Sequence, residues 1–499
     1  LPDARIPAGL RSEEQREAYR SIIGMMLRQE IYALDGTPKE KQPYTVVEQT
    51  SAALCLQHRF DGKTKHAVFF PHVVEAITYH YERNPHDPRV THTLTIETDR
   101  FGNMLKEARI DYGRRLPDAS LLPEDQQKQA RTYIAYTEIS FTNPIGDAVR
   151  YTDHYRLPLP AETRVFELTG YAPTGPGGRF RLSDLARIGS DRPELIYDRE
   201  ISYETEPDHE EKQRRLLDHT RTLYRKDDLT GLLPLGRLEP LALIGETYKL
   251  ALTSGLLDQM FQRNGEKLIP SPSDVLAGAG ADRGGYLSGR ELQQSGRFPA
   301  GDPDEVWWAP SGRVFLSPRS TDTAAEELAY ARKHFFRPCR YRDPFHTELT
   351  STESVVAYDP YDLLLQESCD SLGNRVTAGE RRPDGSRDNA KSGNDYRVLQ
   401  PWLLTDPNGN RSGAVYDALG LVTGTALMGR RGENVGDSLQ MEAVLPDRAV
   451  TGHFEQPLAD PQKILGRATT RLVYDLFAYM RTKDEPDPQP AAVCLLMRE

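Results

Sequence analysis

Asp370-Ser371-Leu372-Gly373-Asn374 and Asp406-Pro407-Asn408-Gly409-Asn410 are one five-residue pattern met twice, Asp-x-x-Gly-Asn. It occurs again, far upstream, at Asp99-Arg100-Phe101-Gly102-Asn103. A shorter relative, Tyr416-Asp417-Ala418-Leu419-Gly420, closes the second cluster, and Asn143-Pro144-Ile145-Gly146-Asp147 is a cousin. Each residue type has a reason to be there. An Asp carboxylate accepts a backbone N–H two residues on and closes an Asx turn. Gly takes a positive φ without a Cβ clash, and Asn tolerates left-handed backbone better than other side chains. Two strands leaving such a turn form a hairpin. Hairpins in tandem extend a single sheet. The spacing therefore predicts a mainly β chain, a long curved antiparallel hairpin strip.

The residues around the turns agree. Met104, Ala108, Ile110 and Tyr112 share one face of a strand and Glu107, Arg109 and Asp111 the other, with Lys106 out of place among the apolar set. That period of two is a strand with unlike faces. Tyr133 to Phe141, Arg164 to Tyr171, Arg313 to Ser317 and Thr469 to Met480 alternate in the same way. The 24 tyrosines suit half-wet pleated surfaces. Helical signals are few. Ser12-Glu13-Glu14-Gln15 and Thr323-Ala324-Ala325-Glu326 resemble capping boxes, and Asp460-Pro461 can start a short helix ending near Gly466. Gln126 to Ala130 and Gly255 to Arg263 are weaker helical stretches. Turn signals grow denser after Asp343, which divides the chain into residues 1–342 and 343–499.

Composition excludes several classes. The formal net charge of -11 opposes nucleic acid as the main partner and opposes anionic lipid. No apolar run reaches the roughly 18 residues that span a bilayer. The 4 cysteines, Cys55, Cys339, Cys369 and Cys494, are widely separated and read as unpaired thiols. The sequence starts at Leu1 and stops within an apolar run before Glu499. It reads as a fragment, without a visible signal peptide.

Tyr358-Asp359 precedes the dense turn cluster and Tyr416-Asp417 follows it, which resembles the tyrosine–aspartate (YD, or Rhs) repeat class. Met26 to Gly36, Tyr79 to Pro85, Phe101 to Tyr112, Leu223 to Gly231, Trp307 to Phe315, Tyr341 to Phe345 and Leu399 to Leu421 together resemble the B component of the tripartite insecticidal ABC (Tc) toxin complexes, in its middle-to-C-terminal region. The resemblance implies a non-catalytic strip in the wall of a hollow β-shell, secreted as part of a bacterial toxin. In that family the C component completes the shell and supplies the cytotoxic cargo. The pore-forming A component is met through a propeller that this sequence lacks. No cofactor and no direct membrane insertion are implied. One departure is Ser288-Gly289-Arg290-Glu291-Leu292-Gln293-Gln294, where the family has Asp-rich spacing; it reads as a local insertion.

Enzymatic patterns fail on spacing. His58, His66, His72, His80, His86 and His92 crowd one region at even spacings, but Asp61-Gly62 and Asn84-Pro85 break the phase and no pair has short ligand spacing. Asp406, Asn408, Asn410 and Asp417 imitate a calcium loop, with Arg411 where Gly is needed. Glu204-Thr205-Glu206 matches the paired glutamates of ADP-ribosylating toxins, but the Ser-Thr step comes later, at Ser351-Thr352. His209-Glu210-Glu211 lacks a second His, and Gly278-Ala279-Gly280 has Arg283 where a dinucleotide loop needs Gly. The expectation is thus no catalytic, cofactor or metal residue. The structural turn residues are Asp99, Gly102, Asn103, Asp370, Gly373, Asn374, Asp406, Gly409, Asn410, Tyr416, Asp417 and Gly420. The alternative reading is a YD-repeat surface protein that binds carbohydrate or neighbouring cells, with Trp307-Trp308 as its stacking patch.

Overall fold

The computed structural model describes residues 1–60, 63–146, 153–189, 192–278, 283–433 and 435–498. Asp147 of the cousin turn, Asp61-Gly62 and Ala279-Gly280 lie outside these. The chain forms two compact units, Leu1–Ser311 and Gly312–Glu499. Asp343 lies within the second, directly after the strand Arg340–Arg342.

The first unit opens with helix α1 (Ser12–Ser21) and then runs as a meander: β1 (Arg28–Ile31), β2 (Thr45–Gln57), β3 (Val68–His80), β4 (Arg89–Thr98), β5 (Met104–Asp111), β6 (Tyr133–Phe141) and β7 (Pro160–Thr169). Each strand pairs antiparallel with the next in sequence. The sheet continues through Gln213–Tyr224, Ile244–Thr253, Val306–Pro310 and Leu287–Ser288. One parallel pairing, of Arg199–Ile201 with Gln213–Tyr224, lies off the path.

Register shows why this sequence gives this sheet. Leu94 faces Ala108, Ala108 faces Tyr136, Tyr136 faces Phe166 and Phe166 faces Leu216, one row across five strands. The next row on that face joins Ile110, Ile134 and Leu168. Phe180, Leu185 and Ala186, from the segment after β7, close over them to complete the core. A single sheet face is thus buried by a looped cover. Lys106, the exception in the alternation, reaches the carbonyl of Pro193 at 2.9 Å and the carboxylate of Glu97 at 2.7 Å. Its charge is paired on the buried side, so the period of two survives. Charges pair rung by rung as well. Glu138 faces Arg164 and Glu167 faces Arg215, with ion pairs of 2.7 and 2.6 Å.

The second unit repeats the plan. Arg313–Phe315, Arg340–Arg342, Ser354–Tyr358, Leu365–Cys369, Arg375–Arg381, Leu403–Thr405, Arg411–Tyr416, Val422–Met428, Thr470–Asp475 and Ala492–Met497 are neighbours in that order. All of these ladders are antiparallel.

The expected mainly antiparallel β architecture with short helices is what the structure shows, with corrections at the ends of elements. In α1, Ser12 is the first helical residue and not the cap. The Glu14 carboxylate accepts the N–H of Arg11 at 3.0 Å, which puts the start one residue earlier. The Thr323 box forms as expected, with Thr323 N donating to Glu326 at 2.8 Å and Glu326 N to the Thr323 hydroxyl at 3.3 Å. Thr469 to Met480 is not one strand. The ladder stops at Asp475, and Ala478–Thr482 is a helical turn. Ser288 to Gln294, the departing segment, is a short helix, Gly289–Gln294, capped by the Ser288 hydroxyl.

Candidate functional site

The repeated turns are built alike. Asp99 Oδ1 accepts from the N–H groups of Phe101 and Asn103 at 2.8 and 2.9 Å, and its Oδ2 accepts from the Asn103 amide at 2.9 Å. Asp370 repeats this with Leu372 N, Asn374 N and Asn374 Nδ2 at 2.9, 2.8 and 2.8 Å. Asp406 accepts from Asn410 N and Nδ2 at 2.8 and 3.1 Å. Asp417 accepts from Leu419 N and Leu421 N, both at 2.9 Å, without the amide contact because its fifth residue is Leu421. Gly102, Gly373, Gly409 and Gly420 sit at φ 83°, 86°, 86° and 83°. The first turn joins β4 to β5, and the other three join consecutive strands of the second unit. The carboxylate of Asp370 is held below the usual range, mostly by its bonds from Asn374. At Asp406, inside the sequence's calcium-loop imitation, each carboxylate oxygen accepts one local donor from Asn410. Asn143 behaves differently: its oxygen accepts from Leu238 N at 2.9 Å and so ties a distant loop.

Three further features were not read from the sequence. Asp359 pins a turn one residue longer, accepting from Leu363 N and Leu364 N at 2.7 and 3.1 Å and from the Tyr396 hydroxyl at 2.8 Å. The left-handed residue there is Asp362, at φ 56°, where the other turns have Gly. The tyrosines beside the aspartates act across the sheet. Tyr358 donates to the carbonyl of Pro338 at 3.1 Å, Tyr416 to that of Pro401 at 3.1 Å, and Tyr474, in another Tyr-Asp pair, to that of Val422 at 2.9 Å. The Tyr-Asp dipeptide was the available signal for Tyr474, but no Gly-Asn follows it.

Chemically suggestive side chains converge at one place in the first unit. Glu162 accepts from His219 Nε2 and Arg221 Nε, both at 2.7 Å, and Arg221 also binds Asp302. The Arg221 guanidinium lies over Phe298 and Trp308, 4.4 and 5.2 Å from their ring centres. A cavity of about 760 Å³ opens beside Arg164, Glu204, His219, Arg221, Asp302 and Trp308. Burial alone would raise the Glu162 carboxyl, but the bonds from His219 and Arg221, with the Arg221 charge, hold it down at about 2. Burial pushes the His219 imidazole down, and Glu162 only partly offsets this. A carboxylate so held is a poor general base. Glu204 accepts from the Thr253 hydroxyl at 3.1 Å, and Glu206 takes no part. Trp307 and Trp308 are 7% and 3% exposed and offer no face for sugar stacking.

The crowded histidines part company. His92 is buried between Glu75 and Tyr112 at 3.1 and 3.0 Å, while His58 and His66 pair with Glu14 and Glu17 of α1 at 3.2 and 2.7 Å. Among the described residues no group of three His, Cys, Asp or Glu side chains could hold a metal. The four cysteines are free thiols.

Antiparallel meanders pinned at hairpins by Asx turns make this a mainly β, hairpin-strip protein. Residues 17–152 match the model of the insecticide toxin TcdB middle/C-terminal region, so over that segment the resemblance to the Tc-toxin B component is borne out. The fold is that of solved Tc assemblies. It is similar to a chain of the TcdB2–TccC3 crystal structure, with a TM-score of 0.55 and 24% identity, covering 98% of this chain and 20% of that one. The same complex without its hypervariable C-terminal region gives 0.54 and 22%, covering 98% and 20%. The Photorhabdus luminescens Tc holotoxin pore gives 0.52 and 21%, covering 97% and 20%. The chain thus spans about one fifth of the length of the chains it matches. No curated protein matches it significantly.

Proposed function

We propose that this chain is a non-catalytic stretch of shell wall in the B component of a secreted Tc-type toxin, where it helps enclose and deliver a cytotoxic polypeptide. The observation that carries the reading is the match of residues 17–152 to the TcdB region, set within a fold likeness to TcdB2–TccC3 that covers 98% of the chain. The partner is a C component, which completes the shell and provides the cargo. The pore-forming A component is met through the propeller that the family places before this region. The mechanism is steric and entropic. Continuous antiparallel pairing leaves few free strand edges for a guest to join, and a wall of paired charges excludes proteases without gripping the guest. The net charge of -11 is consistent with a protein partner and with neither nucleic acid nor lipid.

Co-expression of the whole protein with its C component tests this. A co-purifying complex that images as a hollow particle, with the C component's C-terminal segment resistant to protease, is expected. Failure to co-purify, or a solid particle with the segment digested, would overturn the reading.

A further inference from the structure

The strand Gln213–Tyr224 has one interrupted edge. Along its other edge it pairs with β7 from Gln213 to Arg221. Along the interrupted one, Arg199–Ile201 holds Gln213–Arg215, and Ile244–Thr253 holds the strand only from Thr220 onward. Among the described residues no strand pairs with Leu216–His219 on that side. The strand Ile244–Thr253 diverges in step. Past Lys249 it keeps its far partner, Val306–Pro310, and among the described residues has none towards Gln213–Tyr224. The two strands thus form a fork, and the cavity of about 760 Å³ lies in it. Every residue of Leu216–His219 and of Leu250–Thr253 borders the space, although neighbours on a strand point to opposite faces. The opening therefore lies in the plane of the sheet and not on one face of it. Strand edges left without a partner present N–H and C=O groups to any chain that can pair with them.

The charges around the fork are matched, with one exception. Arg164 pairs with Glu138, Lys249 with Asp218, Glu200 with Arg214, His219 with Glu162 and Arg221 with Asp302. Glu204, at the end of the second prong, takes a hydrogen bond from the Thr253 hydroxyl at 3.1 Å and pairs with no cation among the described residues. Phe166, Ile201, Leu250, Leu252 and Val306 supply apolar wall.

We propose that this fork receives an extended segment of a partner protein, which adds as a short strand between the prongs and sets a lysine or arginine against Glu204. Strand addition draws affinity from main-chain hydrogen bonds and preference from the side chains it meets. About four residues, at roughly 3.3 Å each, match the length of the prongs. A compact small molecule would leave most of the backbone groups unmet, and a nucleic acid would set phosphates against a carboxylate.

Fluorescence anisotropy of the 499-residue chain with a fluorescein-labelled, amidated Thr-Val-Lys-Val-Thr peptide tests the fork. One-to-one saturable binding is expected. It should weaken at least tenfold when glutamate replaces the peptide's lysine. It should weaken as much when alternate peptide nitrogens are methylated, which keeps the side chains and removes backbone donors. Glu204→Gln is expected to weaken the lysine peptide at least fivefold and to narrow its lead over the glutamate peptide. Ala251→Trp, which fills the fork, is expected to abolish binding, with circular dichroism checking that it folds; should it not fold, Glu204→Gln and the methylated peptide decide. No saturable binding, equal binding of the methylated peptide, or undiminished binding by either folded variant would overturn the proposal. Self-association of the chain alone, lost in Ala251→Trp, would give the fork to a second copy and overturn the partner protein.

Discussion

At Gly102 and Gly373 the same turn stands in two surroundings. Both glycines are left-handed, at φ 83° and 86°. A Cβ on Gly373 meets open space, whereas one on Gly102 runs into the ring of Phe70. Gly373→Ala should therefore cost only the backbone strain, about 1 kcal/mol. Gly102→Ala should cost about 1–3 kcal/mol more, as overpacking does. Urea melts followed by circular dichroism check both, and equal losses would show that Phe70 moves aside freely. The pattern of these turns was legible because every determinant is local: the carboxylate, its donors and the glycine lie within five residues. The tyrosine hydroxyls were not legible, because the carbonyl each one finds is set by strand register. Asp359 escaped notice as a turn pin because Asp362, not Gly, supplies its left-handed residue.

At the level of elements, β5 and β6 could be read to within a residue because their alternation is nearly unbroken. Lys106 interrupts the apolar set, and Glu97 and the Pro193 carbonyl take up its amine. Thr469 to Met480 misled because alternation outlasts the ladder; after Asp475 no partner strand continues beside it. The ion cluster of Glu162, His219, Arg221 and Asp302 was invisible, since its members come from two strands and a remote loop. Arg221 joins them, 5% exposed and bonded to both carboxylates. Arg221→Met should cost about 3 kcal/mol, because two acids lose a buried cation. Arg221→Lys should recover little, since a point charge cannot bridge both acids while covering two rings. Denaturant midpoints of the three proteins decide this, and a lysine variant as stable as the parent would contradict it.

Over the whole molecule, acid is the expected weakness. The folded Glu162 carboxyl lies at about 2, below its usual 4.5. The folded His219 also titrates below its usual 6.5. Both groups bind protons more readily when unfolded. Their stabilisation is full above pH 6.5, declines as His219 and then Glu162 would protonate in the unfolded chain, and is gone near pH 2. Thermal melts from pH 8 to pH 3 should show a falling midpoint, and His219→Gln should flatten its upper part. A midpoint that rises on acidification would contradict this account. The fold class was legible at this scale because hairpins are local.

Consecutive strands lie side by side through most of both meanders. Each ladder then depends mainly on its two immediate neighbours, as links do in a chain. Tension applied across such a sheet would open it rung by rung, at low and nearly constant force, with no single catastrophic rupture. Local damage would stay local, and a torn ribbon could close again by the same short steps.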